Sequence, residues 1–323
     1  MFTRATVHPF VTIAAMSIAL AGCTHPAGAA PSHDHDDTGY AITLNGSQAF
    51  PESVAADDHY VYATSIADGT VYRGSTGART LEPFLRGGQD GRTSATGIKV
   101  AGNRLLVAGF LTGRFFVYCD TGELVAVYTV ADPRQPTLVN DAAVTPNGDV
   151  YVTDSFRAVV YRIPAAEVTA RAIGAQRPLA VAYHLPDYVA GKSNGNGIVA
   201  TPDGKSLILG YYESGALYRL TLATGEVVEI AAPPLPSADG MVLRGNTLYV
   251  ARAVNNEVAI LRLSSDDTQA TVVSERTYPG ADTTTGVAVS GDRLLVTNSQ
   301  MDTFLFNAPL TSPTFTLESV PLR

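Results

Sequence analysis

Six polar residues recur at nearly even spacing along this chain: Glu52, Thr96, Asn140, Asn196, Asp239 and Thr285. Successive members lie 43 to 46 residues apart, apart from one step of 56 between Asn140 and Asn196. Four of the six carry carboxylate or amide oxygens, the donors that hard divalent cations prefer, and two carboxylates balance a 2+ charge. Without a cation those two charges would repel across a narrow space. Each residue alone could be an ordinary turn or strand-start residue. Their coincidence at equivalent places in a repeat points to a shared site.

The repeat supplies the elements that must position them. It reads "PESVAADDHYVYAT", "ATGIKVAGNRLLVA", "VNDAAVTPNGDVYVTD", "GNGIVATPDGKSLILG", "ADGMVLRGNTLYVA" and "TTGVAVSGDRLLVT". Each segment holds a polar pair, an apolar strand, a short turn and a second apolar strand. Third strands are expected at "GTVYRG", "RFFVYC", "AVVYRI", "GALYRL", "EVAILRL" and "TFLFNA", and outer strands at "TGEVVEIAA" and "QATVVSERT". Short β-branched and aromatic runs between Gly, Asp and Asn turns give an all-β pattern. A period in the forties suits one four-stranded sheet per repeat. The expected fold is therefore an all-β, six-bladed β-propeller with four-stranded blades around a central channel. Its innermost strands would carry the six polar residues to one mouth.

"YAITLN", residues 40–45, is expected to complete the last blade beside "FTLESVPLR", sealing the ring with both chain ends. The long step holds an excursion between strands, "IPAAEVTARAIGAQRPLAVAYHLPDYVAGKS". No linker interrupts the series, so residues 39–323 are expected to form one propeller.

The N-terminus has a different character. "MFTRATVHPFVTIAAMSIALAGC" carries one basic residue and an apolar stretch from Phe10 to Leu20. That stretch is too short to span a bilayer and reads as an export signal over residues 1–22. The sequence Leu20-Ala21-Gly22-Cys23 resembles the lipobox of bacterial lipoproteins. The resemblance implies cleavage before Cys23, lipid on its sulfur, and an exported protein anchored in the bacterial envelope. Residues 23–38, including "THPAGAAPSHDHDD", read as a flexible tether; His33 and His35 are weak transition-metal ligands at most. If Cys23 is lipidated, Cys119 is a small packing residue and the domain is held by its core without a disulfide.

Several functions are excluded. The formal charge is −8 and no Lys/Arg block exists, which argues against a nucleic-acid surface. Hydrophobic residues make up 46% and charged residues 16%, enough for a sizeable core. The domain's only histidines are His59 and His184, which have no partners at helpful spacing, so neither a serine hydrolase nor a zinc site is expected. Its glycines follow turns rather than a phosphate-binding loop. No hydrophobic stripe marks an oligomer face.

The polar series resembles the senescence marker protein, gluconolactonase and regucalcin family of six-bladed propellers over residues 48–320. The matching pieces are Glu52 in "PES", Asn140 in "NDAAVTPNG", Asn196 in "NGIVATPDGK" and Asp239 in "ADGMVL", in the family's order. The resemblance implies one divalent cation on Glu52, Asn140, Asn196 and Asp239, with Ca²⁺ foremost and Zn²⁺, Mg²⁺ or Mn²⁺ as alternatives. It also implies hydrolysis of a lactone or ester, the metal polarising the carbonyl and Asp239 serving as general base. Two positions depart from the family. Leu138 stands where its sugar lactonases usually carry an Arg, and the family's Trp is missing from a chain with no Trp. The metal site is therefore expected without sugar-lactone recognition, and Tyr211, Tyr212 and Glu213 are candidates to shape the mouth.

Segments such as "GDVYVTDSFRAVVYRIP" also resemble NHL-type repeats, which are often binding platforms. Two readings follow: a metal-dependent hydrolase of a small lactone or ester, or a non-catalytic propeller binding a protein or carbohydrate ligand of the envelope, with a structural metal or none. In both, Asn194 is a turn residue and Gly197 lets its strand begin close to the channel.

Overall fold

The computed structural model describes residues 39–170 and 173–322. The export signal, the tether with His33 and His35, and the lipidation site Cys23 lie outside the described residues. What is described is almost wholly β, and the repeat sets its geometry. The "TPDGK" turn shows how: Gly204 takes a left-handed φ of 68°, which a side-chain-bearing residue rarely adopts. The first hairpin lacks such a glycine and closes on Asp57 instead. Its Oδ1 accepts the backbone N–H groups of His59 and Tyr60, both at 2.7 Å. His59 is exposed on that turn and His184 is exposed in a strand, as expected of histidines without a site role.

The strands assemble into antiparallel sheets, mostly of four. One runs Gly195–Ala200, Ser206–Tyr211, Leu217–Thr221, Val227–Glu229; another runs Ala238–Arg244, Thr247–Arg252, Glu257–Leu263, Ala270–Arg276. A third runs Val139–Val144, Val150–Asp154, Val159–Ile163, Ala180–His184. The sheet Ile98–Ala101, Arg104–Ala108, Arg114–Cys119, Leu124–Thr129 gains a fifth strand, Ala175–Pro178, parallel to its outer edge. The last sheet has eight strands. Pro51–Ala56, Tyr60–Ser65, Val71–Ser75 and Thr80–Leu85 are joined through Tyr40–Leu44 to Thr316–Pro321, Arg293–Asn298 and Val287–Ser290.

The chain ends close the molecule as the sequence predicts. Tyr40 pairs with Ser319 and Ile42 with Leu317, antiparallel. Thr43 and Leu44 also pair, in parallel, with Thr80 and Leu81. The innermost strands stand side by side in order, and Val287–Ser290 returns to pack against Pro51–Ala56. Apolar side chains fill the space between adjacent sheets. Tyr62, Val71 and Leu85 meet Ile98, Leu105 and Phe116, for example, so the strands are buried on both faces and read as continuous apolar runs. Sheets arranged around a shared centre, each with its first strand innermost, are the architecture of a β-propeller.

One expectation needs correction. "TFLFNA" is not a third strand: Met301–Phe306 forms a short helix, and Thr316–Pro321 takes the strand position. The excursion before Asn196 carries structure of its own. It contributes the helix Ala165–Val168 and one strand to each of two sheets. Cys119 is buried, as a packing residue should be.

Candidate functional site

The four oxygen-bearing residues of the polar series share a local structure that the other two lack. Pro51 pairs with Ser65 and Val54 with Ala63, so three steps on the inner strand match two on its neighbour. The same one-residue excess falls between Val139 and Ala142, Gly195 and Ile198, and Ala238 and Met241. Each is a β-bulge, and each contains one of Glu52, Asn140, Asn196 and Asp239. A bulge frees a residue from the ladder and re-aims its side chain, which is why bulges gather at functional sites.

Thr96 and Thr285 precede inner strands of regular register. Their hydroxyls turn to neighbouring backbone: Thr96 Oγ1 donates to the Asn140 carbonyl at 2.8 Å, and Thr285 Oγ1 to the Glu52 carbonyl at 2.6 Å. Thr153 Oγ1 makes the same kind of bond to the Asn196 carbonyl at 2.8 Å. These threonines tie together the backbones that carry the four oxygens. Gly197 serves the same close packing, since a Cβ there would lie 2.1 Å from the Asp239 carbonyl oxygen.

All six residues line one pocket of about 470 Å³. At the other end of the inner strands is a separate cavity of about 260 Å³, lined by Val54, Ala142, Ile198 and Met241 with Lys99. Lys99 Nζ lies 2.9 Å from Asp141 Oδ1, so the positive charge of the channel is paired. Glu52 and Asp239 are not matched in this way. Burial and the carboxylates of Asp239 and Asp141 raise Glu52 well above the usual carboxylate range, with Lys99 pulling the other way. Burial, with the charge of Asp141, pushes Asp239 up to about 8 against a hydrogen bond from the Asn196 side chain.

The two amides are oriented by their partners. Ser155 Oγ donates its single proton to the Gly195 carbonyl at 2.8 Å, so it accepts from Asn140 Nδ2 at 3.0 Å. That bond fixes the amide with Oδ1 as its free end. Asn196 spends its N–H on Asp239, and its buried Oδ1 has no hydrogen-bond partner among the described residues. A buried acceptor without a donor is costly, and a cation is one thing that satisfies it. Among the described residues no group of three or more His, Cys, Asp or Glu side chains is placed to hold a metal. The set assembled here is of another type, two carboxylates with two amides, and its chemistry fits a hard cation.

The residues expected to shape the mouth divide. Tyr212 lines the pocket, and burial, with the charges of Asp239 and Glu213, keeps its phenol protonated. Tyr211 is buried elsewhere, its ring 4.6 Å from that of Tyr218 and its hydroxyl donating to the Pro186 carbonyl at 2.7 Å. Glu213 lies outside the pocket, 3.7 Å from Lys192. Asn194 is structural: its side chain bonds the backbone of Ser155, Val189 and Lys192. Leu138, the departure from the sugar-lactonase pattern, does line the pocket. So do Phe110, Phe156, Val254, Leu305 and Phe306, which no motif or spacing ties to it.

Fold and pocket together define a β-propeller with a polar, oxygen-lined floor at one end of its channel. No family model and no curated protein sequence matches the chain. Solved structures do. The calcium-binding protein regucalcin from Agrobacterium tumefaciens is 18% identical with a TM-score of 0.57, over 88% of this chain and 97% of that one. Virginiamycin B lyase from Staphylococcus aureus is 13% identical with a TM-score of 0.57, over 88% and 99%. The Malassezia sympodialis allergen Mala s 1 is 13% identical with a TM-score of 0.63, over 86% and 95%. At these identities the likeness is one of fold.

Proposed function

We propose that the chain is a six-bladed propeller of the gluconolactonase and regucalcin kind that holds one divalent cation, Ca²⁺ foremost, and hydrolyses a small lactone or ester. The blade count treats the eight-stranded sheet as two blades joined by the parallel pair at Thr43 and Leu44. The observation that carries the function is the Asn196 Oδ1, buried without a hydrogen-bond partner among the described residues, on a floor with two carboxyls that burial and neighbouring carboxylates push above their usual range. Glu52, Asn140, Asn196 and Asp239 would hold the cation. When bound, it polarises a substrate carbonyl and offsets the charge of the floor. Asp239 takes the proton of the attacking water at a carboxylate oxygen, Ser155 keeps the Asn140 oxygen facing the pocket, and Tyr212 offers a phenolic O–H. The calcium-binding neighbour supports the choice of ion.

The test combines metal analysis of the purified protein with a hydrolysis screen over lactones and esters, with and without chelator. We expect about one divalent ion per chain, chelator-sensitive hydrolysis, and loss of activity by at least about 100-fold in Asp239→Ala. A protein that retains no divalent ion overturns the metal site. Retained metal with no hydrolysis above the Asp239→Ala control overturns the enzyme and leaves a binding propeller.

The same reading keeps residues 1–22 as an export signal, residues 23–38 as a tether, and an envelope anchor at Cys23. The chain has two cysteines, so lipid on Cys23 and an intrachain disulfide at Cys119 exclude one another. The intact mass of the membrane-extracted protein decides between them.

A further inference from the structure

We propose that the pocket is built for an uncharged lactone or ester with an apolar body, rather than for a sugar or an anion. This rests on the hydrolase reading above and specifies its substrate class. Above the polar floor the exposed wall is mainly apolar, with Phe110, Leu138, Phe156 and Val254 beside inner-strand ends and turns and Leu305 and Phe306 on the helix Met301–Phe306. Phe306 is 78% exposed and Val254 76%, a large apolar surface left at the entrance. An apolar body lying across it removes that surface from water. A sugar lactone would cover less of that surface, and the wall oxygens of Asn256, Asp282 and Asp302 already accept bonds from Thr283, Thr303 and Thr311.

Charge narrows the choice further. The pocket is lined by Glu52, Asp239, Asp282 and Asp302, and by no Lys, Arg or His among the described residues. A divalent cation on the floor offsets the first two charges and leaves Asp282 and Asp302. An anionic ligand is therefore repelled on entry, whereas a neutral ester is not.

The reaction reverses that balance in favour of release. Water oxygen bonds to the carbonyl carbon, the ring or ester C–O bond breaks, and one proton goes to the leaving alkoxide. The second proton passes from the new acid to bulk water, leaving a carboxylate in a pocket also lined by Asp282 and Asp302.

The rim helix is placed for this role. Met301–Phe306 is bounded by Gln300 and Asn307, at left-handed φ values of 48° and 55°. Gln300 Oε1 accepts the backbone N–H groups of Thr311 and Ser312, at 3.0 and 3.1 Å. These contacts anchor the helix while Leu305 and Phe306 remain exposed at the mouth.

Binding of non-hydrolysable lactams, measured by titration calorimetry on the metal-loaded protein, separates this inference from catalysis. The probes are δ-valerolactams with alkyl chains of increasing length, gluconolactam, and the hydroxy acid formed by opening the matching lactone. Affinity is expected to rise about fourfold per buried methylene, with gluconolactam and the hydroxy acid weaker than the long-chain lactam. The double variant Leu305→Ser, Phe306→Ser changes exposed positions. It is expected to lose about tenfold or more for the long-chain lactam, with metal content and the short lactam unaffected. Affinity independent of chain length, equal binding of gluconolactam or the hydroxy acid, or an unaltered double variant each overturns the proposal. Chain-dependent lactam binding without lactone hydrolysis supports this ligand class and removes the hydrolase reading instead.

Discussion

Asn140 and Asn196 carry the same side chain, and different partners turn each of them oxygen-free toward the pocket. For Asn140 that partner is Ser155, whose hydroxyl is committed to the Gly195 carbonyl and can only accept from the amide. Ser155→Ala is expected to weaken metal binding about 10- to 100-fold while the protein still folds, because outer-shell partners of ligands act on that scale; calorimetric titration with Ca²⁺ reads the change. Asp239 gives a pH dependence of defined sign. Burial pushes its carboxyl up to about 8 in the metal-free folded protein, above the ordinary 3.8 of an unfolded chain, so folding favours the protonated form. That contribution is complete below about pH 4, declines as pH rises, and is gone above about pH 8. In chelator, the unfolding midpoint should therefore fall between pH 5 and 8; with saturating metal the fall should be reduced. A flat chelated profile would contradict the shift. At this scale the four oxygen-bearing residues were legible because the repeat aligned them. Ser155 was not, since a serine ending a strand resembles any turn residue. Tyr211 and Glu213 misled for a geometric reason: the strand ends at Tyr211, packed on Tyr218, and the turn that follows brings Tyr212 to the pocket and Glu213 beside Lys192.

Four inner strands spend a residue on a bulge, and two do not. That difference turns a repeat of equivalent positions into four pocket oxygens and two backbone ties. Sequence spacing located the positions but could not reveal the bulges, because one extra residue in a strand leaves the apolar run intact. Gly197 is the element-scale test. A methyl group there meets the Asp239 backbone 2.1 Å away, and backbone cannot swing aside as a side chain does. Gly197→Ala is expected to cost about 1–3 kcal/mol, read by denaturant unfolding, and to lower metal affinity by displacing the Asp239 strand. Unchanged stability would mean that the inner strands do not pack this closely. The helix Met301–Phe306 was misread for a related reason, since short apolar runs do not separate helix from strand by period. Its left-handed ends at Gln300 and Asn307 arise from packing against the loop at Thr311, and nothing local announces them.

The whole molecule is closed by its two ends, and this was the most legible feature of all. "YAITLN" and "FTLESVPLR" each alternate as strands and have no other partner in the repeat. Ile42 and Leu44 are buried in the core that joins the first and last sheets. Removing residues 40–44 is expected to cost about 3–6 kcal/mol, from losing the burial of Ile42 and Leu44 in that core, and to leave the edge of Thr316–Pro321 open to aggregation. Thermal denaturation with light scattering checks both parts, and an unchanged midpoint would show that the ring holds without this strand.

The closure also bears on when the protein can fold. Until residues 316–321 exist, Tyr40–Leu44 has only a two-residue parallel foothold on the strand Thr80–Leu85. A partly synthesised chain thus carries an unfinished sheet whose missing strand lies almost three hundred residues ahead. Pairings of such sequence separation are slow to form, and their exposed edges invite wrong partners meanwhile. The seam that makes the finished ring durable therefore obliges the cell to keep the whole chain apart from its neighbours until the last strand arrives.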